Sequence, residues 1–395
     1  EEEVTPDGER RATPLRGVSL NTPESSCREV EEERELMLLE AAEHIKMARA
    51  QRALYQSKVD LAVLHATENT AHQHRVYTFV VDYGQNMELP SYRKEQPGCT
   101  YYYSPLSVYN LGVVNHGHVY YDGHVAAHLH AHVYHEGVAK KGATNVTSLL
   151  IVKTLRQLNL LQDEMVGGEL NIIFDNCGGQ NKNSTVLSLA AWLMALGYFK
   201  RVNLIFLVVG HTKNAADRLF NCLKLEYRKQ NLFPFQDMVE ALNRSEMVTV
   251  HPANPEDFRD YDKLMNTLFR KGLYGNIKKN HIFTCACDGS QMLIRQSDLA
   301  DHREYVVHLR KNGQWDISRE DIVRISGNVL AEPLPYTGLN PYKMVEMFAK
   351  YRPVVPVEFQ SDELYAEPSK EVYSKVKTKK NRSIGVSGKA KSNEV

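Results

Sequence analysis

The sequence is poor in the features that would place it in several classes of protein. Only six cysteines occur among 395 residues, at irregular spacing, which excludes a disulfide scaffold and favours a reducing, intracellular location. The longest nearly continuous apolar stretch, 187–199, contains a serine and a glycine. It is shorter than the ~20 residues that cross a bilayer, so no membrane span is expected. Basic and acidic side chains cancel at 48 each, and the chain as a whole lacks the basic excess typical of many nucleic-acid binders.

What the sequence does contain is typical of a globular chain with polar ends. Apolar residues make up 43% and charged residues 24% of the total, a composition that predicts a sizeable buried core. Charges are unevenly placed: residues 1–50 hold 13 acidic and 7 basic side chains, and residues 369–395 hold 8 basic and 2 acidic ones. We therefore expect a flexible acidic arm over 1–30 and a basic flexible tail over 359–395. The tail is either a nuclear-import or nucleic-acid-binding segment or a solvated end.

Between these ends, the hydrophobic pattern predicts helices and strands in an informative order. Good helix formers without Pro or Gly predict one long amphipathic helix within a helical segment, 31–72. In the core that follows, 73–232, runs rich in β-branched and aromatic residues alternate with segments of helical spacing. The predicted order is β-β-β-α-β-α-β-α, with strands at 76–81, 107–115, 125–134, 170–174 and 202–209 and helices at 145–161, 184–196 and 214–229.

This order favours a mixed sheet. Three successive strands form an antiparallel meander, whereas the later alternation requires crossover helices and parallel pairing. Few folds combine the two, and one that does is the ribonuclease H-like fold of nucleases, integrases and transposases. The looser, proline-interrupted pattern of 233–358 predicts a smaller α+β appendage. The predicted class is thus α/β: a ribonuclease H-like mixed sheet with a leading long helix and a smaller C-terminal α+β appendage.

Two acids directly follow predicted strands of this core. Asp82 lies in Val-Val-Asp-Tyr-Gly, and Asp175 lies in Ile-Ile-Phe-Asp-Asn-Cys-Gly-Gly-Gln-Asn-Lys-Asn. Sites in α/β sheets form at the carboxyl ends of strands, so these carboxylates can be neighbours although they are distant in sequence. Either acid taken alone is better explained as a turn residue close to a glycine.

A third acid follows the last predicted strand of the core. Gly-His-Thr-Lys at 210–213 leads to Asp217 in the first turn of the next helix, where an acid can also serve only to stabilise the helix dipole. Glu226 is an alternative on the same helix, but nine steps of about 100° put it half a turn away from Asp217. Asp217 lies nearer the strand end and is preferred. Acids on the first strand, the fourth strand and the final helix form a much rarer combination than any one of them.

These segments carry a resemblance to a known superfamily. With Asp-Asn-Cys-Gly-Gly-Gln-Asn-Lys-Asn at 175–183 and Gly-His-Thr-Lys at 210–213, the chain resembles the DDE-type transposases of the ribonuclease H-like superfamily, and in particular a transposon-derived eukaryotic family. The resemblance implies a metal-dependent DNA nuclease and strand transferase in the nucleus. It also implies that Asp82, Asp175 and Asp217 are metal ligands. Many relatives have Glu as the third acid, one methylene longer than Asp217.

Elementary chemistry supports the same ligand set. Cleavage of a phosphodiester requires an activated water or 3′-hydroxyl and a stabilised leaving oxygen, and two divalent ions about 3.5–4 Å apart supply both. Carboxylate oxygens favour two Mg²⁺ (or Mn²⁺) ions and leave coordination positions for water and phosphate. His211 is either catalytic, contacting a phosphate or orienting Asp217, or structural. No Gly-x4-Gly-Lys-Ser/Thr motif is present, so no nucleotide cofactor is expected.

Histidine is locally dense. Seven of the 16 histidines fall within residues 116–135, and on a strand His128, His130 and His132 share one face, a spacing that can bind Zn²⁺. The alternative, which we favour, is a partly exposed strand face that tolerates histidine, so zinc is not the expected cofactor. Glu136 follows directly and is a candidate auxiliary acid.

A second group of zinc-type residues is less convincing. His281, Cys285 and Cys287 lack the paired Cys-x2-Cys knuckles of a zinc site. We interpret this segment as an edge strand.

Three functions follow from these interpretations. The first is a transposase or transposase-derived nuclease that acts on DNA, both transposon ends and target, and that can form a homo-oligomer. The second is a domesticated, catalytically inactive DNA- or protein-binding member of the same fold. The third is an interaction module stabilised by zinc on the histidine-rich strand. Metal analysis separates them: Mn²⁺ binding that depends on the three acids supports the first, and bound zinc supports the third.

Overall fold

The long helix predicted from the sequence is present and begins earlier than predicted. Helix α1 spans Pro23–Thr67, so residues 23–30, expected in the flexible arm, are helical. Proline is tolerated at the first helical position, and the remainder of α1 contains neither Pro nor Gly. The chain divides into a short unit, 1–49, and a large unit, 50–395. In the short unit the side chains of residues 30–43 are all exposed.

The computed structural model describes most of the chain between Pro23 and Val376. The described residues are 23–161, 167–211, 213–269, 277–288, 291–297, 302–306, 324 and 330–376. Expectations that fall on 1–22, on 377–395 and on Thr212 lie outside the described residues.

Ten strands in the described part of the large unit form one mixed sheet. They are β1 (Val76–Tyr83), β2 (Met87–Leu89), β3 (Leu106–Val119), β4 (Val125–His135), β5 (Gly167–Phe174), β6 (Phe199–Phe206), β7 (Val248–Pro252), β8 (Ile282–Asp288), β9 (Gln291–Ser297) and β10 (His302–Val306). Their spatial order is β10-β9-β8-β6-β5-β1-β3-β4-β7, with β2 paired to β3. Strands β1, β3 and β4 pair antiparallel, whereas β5 pairs parallel with both β1 and β6.

Helices connect the strands and cover the sheet. The main ones after α1 are α2 (Ala143–Ser148), continued as a π-helix over Leu149–Leu155, then α3 (Ser184–Ala195), α4 (Ala215–Tyr227), α5 (Phe235–Leu242), α6 (Tyr261–Leu268) and α7 (Pro341–Glu346), which continues as a π-helix over Met347–Tyr351. Helix α4 starts with a capping box, in which the side chains of Asn214 and Asp217 each accept a hydrogen bond from the other residue's backbone N–H. This start fixes Asp217 in the first turn.

The sheet has a separate apolar core on each face, because side chains alternate along a strand. Phe79 and Val81 of β1 pack with α2, α3 and α6 on one face. Val80 packs on the other face with α4, α5 and Tyr55 of α1. Each such buried side chain stabilises the fold by about 1.5–3 kcal/mol, and all three are fully buried. Well-packed apolar side chains on both faces of the sheet therefore lie next to the acid at the end of β1.

The mixed α/β class and the element order predicted for 73–232 are confirmed. The boundaries differ in places. Strand β3 continues past the predicted 107–115 to Val119, because a register shift after Asn115 lets it follow β4 into the hairpin. The helix predicted over 145–161 ends at Leu155, and the short strand β2 was not predicted.

The C-terminal segment, 233–358, does not build a sheet of its own among the described residues. Strand β7 adds in parallel to β4 at one edge of the core sheet, and β8 adds antiparallel to β6 at the other. The interpretation of the segment around Cys285 as an edge strand was wrong, because β8 is paired on both sides, with β6 and with β9.

The beginning of the predicted basic tail belongs to the packed fold. Tyr365 is fully buried, and its hydroxyl donates a hydrogen bond to the carbonyl of Phe233 at 2.8 Å. In the part of the chain that the structure describes, no helix is both long enough and apolar enough to span a bilayer.

Candidate active site

Asp82 and Asp175 lie side by side at the carboxyl ends of two neighbouring parallel strands. Strands β1 and β5 are in register with Val81 opposite Phe174, so the next position on each chain is an aspartate. Neighbouring strands are about 4.8 Å apart. The sheet therefore brings together two acids that are far apart in sequence.

The two acids also share a face of the sheet. Val80 and Ile173, two residues before Asp82 and Asp175, both belong to the core beneath α4. Because the side-chain period of a strand is two, each aspartate follows its predecessor to that face. Helix α4, which carries Asp217, packs on this same core through Ala215, Ala216 and Leu219.

Two glycines let α4 approach the end of β1. Gly112 of β3 is the register partner of Asp82, and a Cβ atom there would lie 2.6 Å from the ring of Phe220. A Cβ atom on Gly84 would lie 3.1 Å from the same ring. Phe220 is one helical turn beyond Asp217, on the same side of the helix. Its contact with the glycines thus brings the third acid to the strand that bears the first.

Helix α1 fixes the turn that leads into α4. The side-chain amide of Gln51, which is buried, donates to the carbonyl of Phe206 and accepts from the backbone N–H of Val208, both at 2.6 Å. Arg52 donates to the carbonyl of Lys213 at 2.7 Å. These hydrogen bonds are directional, so they fix the position of the turn after β6 more precisely than apolar packing of a long helix would.

The loop after β5 orients Asp175. Its Oδ1 atom accepts a short hydrogen bond from the side-chain amide of Asn181 and a longer one, 3.3 Å, from the backbone N–H of Cys177. The backbone N–H groups of Asn181 and Lys182 both donate to the carbonyl of Cys177, which closes the loop into a tight turn. The Asp-Asn-Cys-Gly-Gly-Gln-Asn-Lys-Asn motif therefore has a structural role, because its turn positions the carboxylate of Asp175.

The electrostatics of Asp82 are unusual. Burial, which is the largest cause, and the negative charges of Asp175 and Asp217 together raise the pKa of Asp82 to about 7, against lowering effects of the Tyr83 backbone and of Lys141. Burial lowers the pKa of Lys141, and the Asp82 carboxylate opposes that shift. Asp82 is therefore within electrostatic range of both other acids. The positive charge of Lys141 does not offset their combined effect on the pKa of Asp82.

The donor chemistry fits divalent cations, with one restriction. Carboxylate oxygens suit Mg²⁺ or Mn²⁺, and a cation would relieve the repulsion that raises the pKa of Asp82. However, among the described residues no three His, Cys, Asp or Glu side chains are grouped so that they could hold a single metal ion. Asp217 also uses Oδ2 to cap its own helix, accepting from the backbone N–H of Asn214 at 2.9 Å. The arrangement fits pairs of acids around Asp82 better than one ion with three acid ligands.

The other predicted site residues lie elsewhere or remain without an assigned role. His211 is exposed in the turn between β6 and α4, and its catalytic role stays a prediction. Glu226 accepts from Lys229 at 2.5 Å and is not one of the charges that act on Asp82. Glu136 accepts from the backbone N–H of Ser107 at 3.0 Å, which gives it a structural role at the end of β4.

The histidine-rich strand is buried, and the expectation of a partly exposed face was wrong. His128, His130 and His132 do share one face of β4, but they are 5%, 8% and 0% exposed. Strand β7 lies beside β4 in the sheet and adds Thr249 and His251 to their neighbours, and Thr154 of the π-helix contacts His132. His118 stacks on His128, His251 stacks on both His130 and His132, and His128 meets His130 edge to face, with ring centroids 4.2–5.5 Å apart. We call these five residues the histidine ladder.

Hydrogen bonds explain how the ladder is accommodated. His128 bonds to Thr249 at 2.8 Å, and His132 bonds to Thr154 at 2.7 Å. His130 bonds to His251 at 3.2 Å. Burial lowers the pKa of His128 and His251 to about 4 and that of His130 to about 3. The imidazoles are therefore neutral and packed, and within the described part of the chain no three of them are grouped so that they could hold one metal ion.

Sequence reasoning missed several residues that shape the site. Lys141 lies in a Lys-Lys-Gly turn after β4, and its nearness to Asp82 follows only from the sheet order. Gln51 was one polar residue among many on a long helix. The glycine at 112, inside a strand of β-branched residues, was the available signal, since glycine in a strand often marks a close approach.

Comparison with known proteins gives one match. No curated protein sequence and no solved structure matches the chain. One family model matches residues 102–300, which is half of the chain. The matched stretch contains Asp175 and Asp217 and begins after Asp82. The chain therefore belongs to the family described as "Domain of unknown function (DUF7869)".

Proposed function

We propose that this protein is a transposase, or a nuclease derived from one, that cleaves and joins DNA with divalent metal ions. The observation that carries the proposal is Asp82: a buried carboxylate at a strand end, beside Asp175 and within range of Asp217, with its pKa raised to about 7. A cluster of acids costs stability unless a cation joins it. Perturbed acids of this kind are typical of functional sites.

The fold is consistent with the proposal. The order β4-β3-β1-β5-β6, with three antiparallel strands followed by parallel ones and crossover helices, agrees with the ribonuclease H-like arrangement that the sequence resembles. The three acids occupy the first strand, the end of the fourth long strand and the last core helix, as expected for that superfamily. We therefore assign the finer fold, like the activity, as part of the proposal.

Asp82, Asp175 and Asp217 would hold the two ions, with Asp82 shared because it interacts with both other acids. Bound there, Mg²⁺ or Mn²⁺ would activate the attacking oxygen and stabilise the leaving one. The chain's own residues prepare the site. Asn181 orients Asp175, and the capping box fixes Asp217.

A basic groove beside the acids supports DNA as the substrate. A depression of about 620 Å³ next to Asp217 is lined by Arg52, Lys213 and Arg218, with no other acid on its walls. Arginine and lysine side chains on a groove are the usual contacts to DNA phosphates, and they make binding depend steeply on salt. A DNA backbone along this groove would pass directly by the third acid.

The proposal is tested with Asp175→Ala. We expect this variant to lose Mg²⁺- or Mn²⁺-dependent cleavage of DNA by at least about a thousandfold, because the oriented ligand is gone, while circular dichroism shows the fold intact. Asp122→Ala, an exposed aspartate in the β3–β4 hairpin, is the matched control and should cleave normally. Cleavage retained by Asp175→Ala would overturn the assignment.

A domesticated binding protein is the second candidate, and the capping role of Asp217 favours it. If one oxygen of the third acid is permanently held by the helix backbone, metal affinity can be too weak for catalysis. Isothermal titration with Mn²⁺ distinguishes the two. Binding that Asp175→Ala abolishes supports the enzyme, and no binding by the unsubstituted protein supports the binder.

A further inference from the structure

A second cavity adjoins the acid site. It is a cleft of about 900 Å³ between the connection from β4 to α2 and the segment 334–341. Lys141, which acts electrostatically on Asp82, forms part of its wall. The cleft is thus next to the acids, and neither the basic groove nor the three acids account for it.

Two tyrosine rings line the cleft. Tyr336 is 59% exposed and lies on the segment 334–341. Tyr109 of β3 is half-buried, and Tyr134 supports its ring edge to face at 5.5 Å. The ammonium of Lys141 lies 5.5 Å from the Tyr109 ring. Exposed aromatic rings with an adjacent cation are the surface on which nucleic-acid bases stack.

One buried polar group in the cleft lacks a partner. Asn145, only 7% exposed, lines the cleft. Its side-chain N–H donates to the carbonyl of Lys140 at 2.5 Å, but its Oδ1 atom has no hydrogen-bond partner. An unsatisfied buried acceptor costs roughly 1–3 kcal/mol, so a ligand that brings an N–H donor to this atom gains free energy.

The charges of the cleft favour a phosphate. Its charged lining residues are Lys140, Lys141 and Glu136. Glu136 is already engaged by the backbone N–H of Ser107 at 3.0 Å and lies 3.8 Å from the ammonium of Lys343. The two lysines are left to contact an anion.

We propose that the cleft binds one unpaired nucleotide of a DNA strand beside the acid site. The base would stack between Tyr336 and Tyr109, its Watson–Crick edge would donate to Asn145 Oδ1, and its phosphate would contact Lys140 and Lys141. Every base carries an N–H donor on that edge, and the donor is free only when the base is unpaired. The inference rests on the proposed function for its substrate, DNA, and adds that the substrate is single-stranded next to the cleavage site.

Fluorescence anisotropy of the full chain tests the proposal, with a labelled single-stranded oligonucleotide and the same sequence as a duplex. EDTA is present so that no cleavage occurs. We expect Tyr336→Ala to weaken single-strand binding by roughly tenfold, the usual effect of losing one stacking ring, and duplex binding by less than about twofold. Tyr336→Phe keeps the ring and should bind normally.

The matched control is Tyr121→Ala, a fully exposed tyrosine at the tip of the β3–β4 hairpin, which should change neither affinity. Asn145→Ala should weaken single-strand binding several-fold, with thermal unfolding used to show that it folds. Unchanged single-strand binding by Tyr336→Ala, or an equal loss for both forms of DNA, would overturn the proposal.

Two further arms separate the alternatives. Free dAMP carries a base and a phosphate, the groups that the cleft would contact. It should compete only weakly if the cleft binds a nucleotide within a DNA strand. Competition as strong as that of the oligonucleotide would show that the ligand is a free nucleotide and would contradict the proposal. Cleavage is measured separately with Mg²⁺. If the protein cleaves DNA but Tyr336→Ala binds single-stranded DNA normally, the nucleotide site in the cleft is refuted and the proposed enzyme is not. If single-strand binding depends on Tyr336 but the unsubstituted protein does not cleave DNA, the proposed enzymatic activity is refuted and the nucleotide site is not.

Discussion

Two regions of this protein gather titratable side chains inside the same sheet, with opposite outcomes. At the end of β1, Asp175 and Asp217 act on Asp82, and the pKa of Asp82 rises to about 7 because its carboxylate is buried and is repelled by their negative charges. In the histidine ladder, neutral rings stack and form hydrogen bonds to threonines and to each other. The first region carries buried negative charge that is not offset, whereas the second is uncharged, although Nε2 of His130 and Nδ1 of His132 are buried without a hydrogen-bond partner. Buried charge that is not offset, and not the density of titratable residues, is what points to a cation at the first region.

The largest expected effect tests the ladder. Its histidines have lowered pKa values because burial disfavours the charged ring, and the nearby Lys153 lowers those of His132 and His251 further. Lys153 is itself paired with Asp257 at 2.8 Å. Since the folded state binds these protons less tightly than the unfolded chain, stability is full above pH 6.5 and is lost as pH falls toward 4. One histidine whose pKa falls to about 4 loses roughly 3 kcal/mol.

Several such losses together are comparable with the ~5–15 kcal/mol that stabilises a typical protein, so we expect cooperative acid unfolding near about pH 5. Circular dichroism as a function of pH measures it. His130→Gln should flatten the dependence of the unfolding free energy on pH, whereas His124→Gln, in the exposed hairpin, should leave it unchanged. A protein that stays folded to pH 3, or ladder histidines that titrate normally by NMR, would contradict this interpretation.

Removing the charge of Asp82 from the acid site should stabilise the folded protein, whereas adding charge to the ladder should destabilise it. Because the pKa of Asp82 is raised above its unfolded value, its ionisation destabilises the folded state increasingly from about pH 4 to 7 and fully above that. Asp82→Asn should therefore raise the free energy of unfolding by roughly 2 kcal/mol at pH 8 in EDTA. Urea denaturation measures this gain.

Adding Mn²⁺ sharpens the comparison. The unsubstituted protein should be stabilised by the ion, and Asp82→Asn should not, because the shared ligand is missing. Asp122→Asn in the hairpin is the control for both measurements. If Asp82→Asn instead lowers stability in EDTA, the carboxylate is a structural group and the contrast with the ladder disappears.

The two regions also differ in how far the sequence predicts them. Asp82 and Asp175 could be paired from sequence, because each follows a continuous apolar run and parallel strands end at one edge. The ladder could not, since His251 reaches β4 through the parallel pairing of β7 across more than a hundred residues. Alternation on β4 correctly put three histidines on one face but did not reveal what covers that face.

Long-range pairing and turn geometry also limit what could be predicted around the acids. The antiparallel pairing of β8 to β6 leaves no local signal, so the C-terminal segment was expected as an appendage. Asn181 is visible in its motif, but its hydrogen bond to Asp175 depends on a turn whose shape is set by three backbone contacts to Cys177. Local patterns give the elements, and the contacts between distant elements give the site.

The smallest expected effect separates two neighbouring lysines. Lys141 acts on Asp82 and lies 4.7 Å from the ring of Tyr83, whereas Lys140 is exposed. Lys141→Gln should raise the affinity for Mn²⁺ about threefold, since a partly screened pair of charges contributes under about 1 kcal/mol and the cation competes with the metal for the same carboxylate. Lys140→Gln should leave Mn²⁺ affinity unchanged.

Both variants remove one positive charge from the cleft, so both should weaken binding of single-stranded DNA to a similar extent. Titration calorimetry with Mn²⁺ therefore isolates the effect on the acids. Equal Mn²⁺ affinities for the two variants would mean that the ammonium of Lys141 does not compete with the metal for the Asp82 carboxylate, unlike Lys153, whose charge acts on two histidines of the ladder.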